Sequence, residues 1–283
     1  MPMIPIYATI GWLLTTTAII GNGLVIYLIV ITKHLHTSTN WFVLSLAAAD
    51  FSFAICYFPV AYFCDTAFVC DSALRGIVTW QFATISIANL CAMAADRYIA
   101  IVVPFKYVRL MTTGCVWGLI GSAWGLPLLL FLPPNLYMHF IGTSPNIQLL
   151  FHVIYAVLFE ILPCVFLLCA TGRILVISRR HYRQTAVVSA QLRFNQPNLR
   201  ENRGQFSATV IIVVVGLFIL FYMMDVVGSI CFYFDVCELT VEFHYVRKLL
   251  VIANSAANPF PYAFIKRDIK REFKKMFKFR IER

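Results

Sequence analysis

The stretch Asn89-Leu90-Cys91-Ala92-Met93-Ala94-Ala95-Asp96-Arg97-Tyr98-Ile99-Ala100-Ile101 decides how the chain is read. It starts as an apolar helical run and closes on charges that hydrocarbon rejects. A charged pair after about twenty apolar residues marks where a spanning helix meets water. On a helix, Asp96 and Arg97 point about 100° apart, so each is expected to need its own partner. For an isolated Asp-Arg-Tyr the plain alternative is flanking charge, with Arg97 snorkelling to the headgroups. The surrounding chain argues against it.

Working outward, 60% of the 283 residues are hydrophobic, the mean hydropathy is +0.79 and only 13% are charged. A soluble domain of this length has too little interior for that much apolar surface, so the solvent is lipid. Seven apolar runs of spanning length can be laid along the chain: Ala8–Thr32, Trp41–Cys64, Leu74–Val103, Val116–Leu132, Leu149–Ile177, Phe206–Phe234 and Tyr245–Ile265. On that segmentation twenty of the 23 Lys and Arg fall on one side, and only Arg75, Arg247 and Lys248 fall on the other. The positive-inside rule then predicts an extracellular N-terminus and a cytoplasmic C-terminus in the plasma membrane. The net charge of +10 is therefore a topology signal, and nucleic acid is excluded as a partner. No basic segment precedes Ala8, and the first run is too long for a cleaved leader, so it is expected to serve as its own insertion signal.

Polar residues inside the spans are the functional candidates. Asn22 lies between glycines in the first, as befits an interhelical hydrogen bond at a close approach. Asp50, in the second, is an expensive mid-membrane acid; Ser86 in the third stands at about its depth. Pro59 is expected to kink the second helix, and Pro133-Pro134 to stop the fourth before a short outer loop over Asn135–Gln148. The fifth carries His152, Glu160 and Pro163; the sixth carries Asp225. The inner loop around Thr185–Asn202 is expected to be mobile. The seventh ends in Asn254-Ser255-Ala256-Ala257-Asn258-Pro259-Phe260-Pro261-Tyr262, where Pro259 frees a carbonyl that Asn258 or a water is expected to satisfy. Beyond it, Ile265, Ile269, Phe273, Met276 and Phe277 recur at helical spacing among cations, which predicts an amphipathic helix on anionic membrane lipids. The chain thus divides into a spanning domain, 1–265, and a cytoplasmic helix and tail, 266–283. Of nine cysteines, Cys56, Cys91, Cys115, Cys164 and Cys169 are expected to be small buried residues. Cys64 with Cys70, and Cys231 with Cys237, are the local disulfide pairings open at the outer ends.

Seven spans with this punctuation resemble a rhodopsin-like (class A) G-protein-coupled receptor over nearly the whole chain. The matching features are Gly21-Asn22, Leu46-Ala47-Ala48-Ala49-Asp50, Asp96-Arg97-Tyr98, Trp124, Pro163 and Asn258-Pro259-Phe260-Pro261-Tyr262. The resemblance implies a seven-transmembrane helix bundle, all-α, with a short amphipathic eighth helix. It implies that Arg97 engages a heterotrimeric G protein when the bundle opens, that Asp96 holds it at rest, and that Tyr262 swings inward to support the active state. It also implies a sodium pocket at Asp50, Ser86, Asn254, Ser255 and Asn258, with no other cofactor; the alternative is a protonated Asp50 bonded to its neighbours. Several residues depart from the family pattern. The usual disulfide from helix three to the second outer loop lacks its loop cysteine, Tyr222 and Met224 replace the tryptophan and proline of helix six, Gly204 replaces an acid that locks Arg97, and Thr171 replaces a tyrosine. With those supports missing, raised basal signalling is expected.

An extracellular ligand, a small molecule such as an amine or a short peptide, is expected between the outer halves of helices three, five, six and seven. Candidate contacts are Thr79, Trp80, Ala83, His152, Glu160, Tyr222, Asp225, Lys248 and Ile252. The aspartate that anchors amines in many family members is replaced by Thr79, and the retinal-linking lysine of opsins by Ile252. Asp225 suits either a ligand cation or an internal pair with Lys248 or Arg247. Three competing functions remain to be weighed. An enzyme is disfavoured, because no Ser-His-Asp set, phosphate loop or metal cluster is visible. A transporter or channel would need an inverted repeat or a charge chain between the faces. The third is a receptor-like partner with constitutive activity and no ligand of its own.

Overall fold

Prolines and caps divide the chain into helices in the computed structural model, which describes residues 3–66, 70–192, 203–234 and 236–281. No strand occurs among them. The first span is α1, Met3–Ile31. The second is α2, Ser38–Cys56, and α3, Phe58–Thr66, broken at Tyr57 just ahead of Pro59. The third is α4, Ser72–Val102, followed by the short α5, Pro104–Leu110. The fourth comprises α6, Thr113–Leu130, and α7, Leu132–Phe140. The fifth comprises α8, Pro145–Ala156, a π turn over Val157–Ile161, and α9, Leu162–Leu192. The sixth is α10, Arg203–Phe234. The seventh is α11, Val241–Ala257, and α12, Pro259–Phe264. Beyond it lies α13, Arg267–Ile281.

Among the described residues, six spans are long and apolar enough to cross a bilayer, with mean hydropathies from 1.4 to 2.5. The seventh is interrupted by its own amides and by Pro259. Polarity runs inside out: Leu13, Leu129 and Leu220 are 65–70% exposed, whereas Asn22, Asp50 and Asp225 are fully buried. Such a surface is stable against lipid and not against water. The third span sits at the centre, packed on the second, fourth, fifth and sixth. Hydrogen bonds join it to its neighbours: Ser45 donates to Asn89 Oδ1 (2.5 Å), Trp124 Nε1 donates to Ser45 (3.0 Å), and Thr84 and Tyr155 share a 2.6 Å bond.

Several expectations change here. Pro133-Pro134 does not end the fourth helix, because proline is well tolerated in a helix's first turn, where its missing N–H has no partner to lose. After a turn at Phe131 the chain starts α7, so most of Asn135–Gln148 is helical and only Ile141–Ser144 connects. The segment from Thr185 to Leu192 continues α9, while the remaining part of that expected loop, 193–202, lies outside the described residues. The five unbridged cysteines are half-buried, apart from Cys169, which is exposed, as small apolar residues on a lipid-facing surface can be.

Pro259 supplies the sharpest correction. Its missing N–H leaves the Ser255 carbonyl without a helical donor. Asn22 of the first span fills that place, with Nδ2 3.0 Å from Ser255 O and 2.9 Å from Ala18 O. Gly21 makes the approach possible, since a Cβ there would lie 2.8 Å from Pro259 Cγ. On α13, Ile269 is fully buried and Phe273 and Met276 pack on the core, whereas Arg271, Lys274 and Lys275 are exposed. The Phe277 side chain lies outside those described. Glu272 receives Lys275 (3.0 Å) and faces His34 (3.4 Å), tying α13 to the turn after α1.

Candidate functional site

Three polar assemblies lie along the bundle axis. The middle one is built on Asp50. Ser86 of α4 donates to its Oδ1 (2.6 Å), Ser255 of α11 donates to the same oxygen (3.0 Å), and Asn258 donates Nδ2 to Oδ2 (2.6 Å). The Asn258 amide is thus turned to Asp50 and not to the carbonyl freed by Pro259. Asn254 is buried as well, and the Oδ1 atoms of Asn254 and Asn258 have no hydrogen-bond partner among the described residues. A buried carboxylate with hydroxyl oxygens and orphaned amide oxygens is a donor set that fits a hard cation such as sodium.

The second assembly lies at the end that carries Arg97. Arg97 Nε donates to Asp96 Oδ2 (2.8 Å), the pairing that the receptor resemblance implies; the 100° between the two side chains does not prevent it, because the long arginine stem folds back over its own helix. Each also has a partner elsewhere: Tyr107 of α5 donates to Asp96 Oδ1 (2.8 Å), and Arg97 Nη2 donates to Thr39 of α2. Burial raises the Tyr107 hydroxyl above its ordinary value. Tyr98 is half-buried against the core, and Tyr262 is fully buried with its hydroxyl directed at Met93 Sδ (3.7 Å). Nearby, Lys266 reaches Asn40, which donates to Asp268 (3.1 Å); burial pushes the lysine down to about 8.

The third assembly is a cavity of about 570 Å³ at the far end, walled by the third to seventh spans. Of the residues expected to line it, Trp80, His152 and Glu160 do so. Thr79 instead returns its hydroxyl to the Arg75 carbonyl (2.9 Å), because a helical threonine readily bonds its own backbone. Ala83 and Ile252 are packed into an apolar cluster with Phe53 and Phe58, and Tyr222 stacks on Phe218 in the core (centroids 5.0 Å apart). Asp225 is fully buried beneath Arg247, whose Nε stands 3.4 Å from Oδ1, so the internal pair is the arrangement adopted. Arg247 lines the cavity and Lys248 is not among its lining residues, since neighbours on α11 face different ways.

Asn135, His139 and Tyr155 also line the wall and were not named from sequence as site residues. The signal for the first two was available: two prolines beside an aromatic can open a helix as well as close one. Glu160 is placed by the π turn. Pro163 cannot donate to the carbonyl four residues earlier, and the widened turn that precedes it carries Glu160 inward to 5% exposure, beside Ser229. At the rim, Asp71 caps α4 by accepting from Ala73 N (2.9 Å) and Leu74 N (3.0 Å), and its Oδ2 lies 3.0 Å from His139 Nε2. The bonds from Leu74 and Ala73, and then His139, hold its carboxyl below the usual range. This contact joins the third and fourth spans. Cys64–Cys70 and Cys231–Cys237 are bonded, with Cα atoms 5.3 and 5.1 Å apart.

A seven-span bundle with a cavity at one end and a restrained arginine at the other has the layout of a membrane receptor. Residues 21–262 match the family described as 7 transmembrane receptor (rhodopsin family), and the chain belongs to that family. It is a signalling receptor and not an enzyme. The chain is 28% identical over 300 residues to the adenosine receptor A2a of Homo sapiens, covering 96% of this chain and 72% of the relative. It is 27% identical over 311 residues to the octopamine receptor beta-2R of Chilo suppressalis, covering 93% and 77%. Against the D(1C) dopamine receptor of Xenopus laevis, identity is 37% over 135 residues, 45% of this chain and 29% of the relative.

Proposed function

We propose that the chain carries an extracellular small-molecule signal to heterotrimeric G proteins across the plasma membrane, its N-terminus outside. Ligand in the far cavity biases the sixth and seventh spans, and the bundle opens at the Arg97 end. The observation that carries this reading is the latch on Arg97. Its guanidinium is held by Asp96 and Thr39 at a bundle mouth, where release would present a long cation to a partner. Residues 1–265 form the signalling bundle, and 266–283 a helix on the inner leaflet. The names of the relatives, receptors for adenosine, octopamine and dopamine, favour a small ligand over a peptide.

Sodium at Asp50, Ser86, Asn254, Ser255 and Asn258 would neutralise the buried carboxylate and hold the resting packing of the second, third and seventh spans. Constitutive activity without a ligand is the second reading, favoured by Gly204 and Thr171 standing where the family supports the resting latch. Guanine-nucleotide exchange on purified G protein tests both readings. Exchange above that of empty membranes, abolished by Arg97→Ala with surface expression retained, is the expected result. Unchanged exchange in Arg97→Ala refutes the coupling role.

A further inference from the structure

The far cavity is lined by a carboxyl group whose nearest guanidinium already faces another acid. Three fully ionisable side chains cluster where the fifth, sixth and seventh spans meet: Glu160, Asp225 and Arg247. Arg247 is committed to Asp225. Its Nε stands 3.4 Å from Oδ1, and its stem lies in a notch at Gly228, where an added Cβ would come within 2.7 Å of Nη1 and 2.9 Å of Cδ. Asp225 is fully buried and does not line the cavity, so it is out of a ligand's reach. Glu160 does line the cavity at 5% exposure, beside Ser229, a neutral hydroxyl. At the rim, His139 already faces Asp71. Two carboxyl groups share one guanidinium, and the one left over faces the cavity. A buried carboxylate without a counter-ion is costly, so the site favours a cation or a proton.

The walls add a second constraint. Trp80, Phe131 and Tyr155 line the same cavity, with the last two rings 4.6 Å apart. Aromatic faces attract both organic cations and flat rings. The volume suits a small molecule.

We propose that the ligand is an aryl-bearing ammonium compound whose charge pairs with Glu160 on the fifth span, its ring against Trp80, Phe131 and Tyr155. The proposal rests on the reading of the cavity as the ligand site. It moves the cation anchor from the third span, where Thr79 is turned to its own backbone, to the π turn ahead of Pro163.

Thermal unfolding of the purified full-length receptor in detergent, with dopamine or octopamine as cationic probes and adenosine as a probe uncharged at pH 7, tests this. At least one amine raises Tm. Its half-maximal concentration rises at least tenfold in Glu160→Gln, stays within twofold of wild type in Thr79→Val, and partly recovers in Glu160→Asp. The ligand-free Tm of each variant reports its folding. No shift with either amine, an amine shift undiminished in Glu160→Gln, or a Glu160-dependent shift with adenosine alone overturns the proposal. The last result would leave Glu160 as a neutral hydrogen-bonding group. Arg97→Ala separates this from the signalling reading. Glu160-dependent amine binding without nucleotide exchange sinks the signalling role alone, and Arg97-dependent exchange without amine binding sinks the ligand assignment alone.

Discussion

Asn22→Leu keeps most of the side-chain volume and removes the one donor that reaches Ser255 O. In hydrocarbon no water replaces it. An orphaned buried carbonyl costs about 1–3 kcal/mol, while measured hydrogen bonds between spanning helices average about 0.6 and reach about 1.7 kcal/mol. The overlap sets the expected loss at about 1–2 kcal/mol, for which the Tm of a domain of this size falls by roughly 2–8 °C. The structure supplies its own control. In Pro259→Ala the backbone N–H of residue 259 is restored, and Ser255 O recovers its helical donor. Asn22→Leu in that background is expected to cost less than about 0.5 kcal/mol, a coupling of about 0.5–2 kcal/mol between first and seventh spans. Thermal unfolding of the four proteins in one detergent measures it. If Asn22→Leu cost the same with and without Pro259, the account of the seventh-span break would be wrong.

Arg247→Ala leaves Asp225 buried without its cation. Removing one member of a buried pair costs about 3–5 kcal/mol, so a large Tm drop is expected; Gly228→Ala only makes the flexible end of Arg247 shift, so its drop is expected to be smaller, and an unchanged Tm in Arg247→Ala would contradict the pair. Exchanging potassium for sodium at constant ionic strength is expected to raise the wild-type Tm and to leave Asp50→Asn unmoved; equal responses would remove the ion from the Asp50 site. Asp71→Asn retains a side-chain cap but loses the charge opposite His139, so it is expected to be more stable than Asp71→Ala and less stable than wild type. Because the folded-state carboxyl is held below its usual 3.8, this stabilisation is complete above that value and is lost as the pH falls through the lowered one. A loss already visible on going from pH 7 to pH 5 would point to another group.

Span positions, charge asymmetry and the polar triplets were legible in the sequence because each is local. A spanning helix satisfies its own backbone, and a buried acid announces itself wherever the chain is apolar. Partner choice was not local. Asn22 answers Pro259 across 237 positions of sequence, and Asp225 takes Arg247 instead of a ligand. The cavity moved for the same reason. Whether Pro133-Pro134 stops a helix or starts one depends on what the next turn packs against, and here α7 supplies a wall. The sequence by itself determined how many helices cross the bilayer, how unevenly their basic residues are distributed and which polar groups they carry, since hydropathy and charge act through the solvent. Only the tertiary structure decided which of those groups meet, because a hydrogen bond or an ion pair is made within a few ångströms, and packing sets those distances.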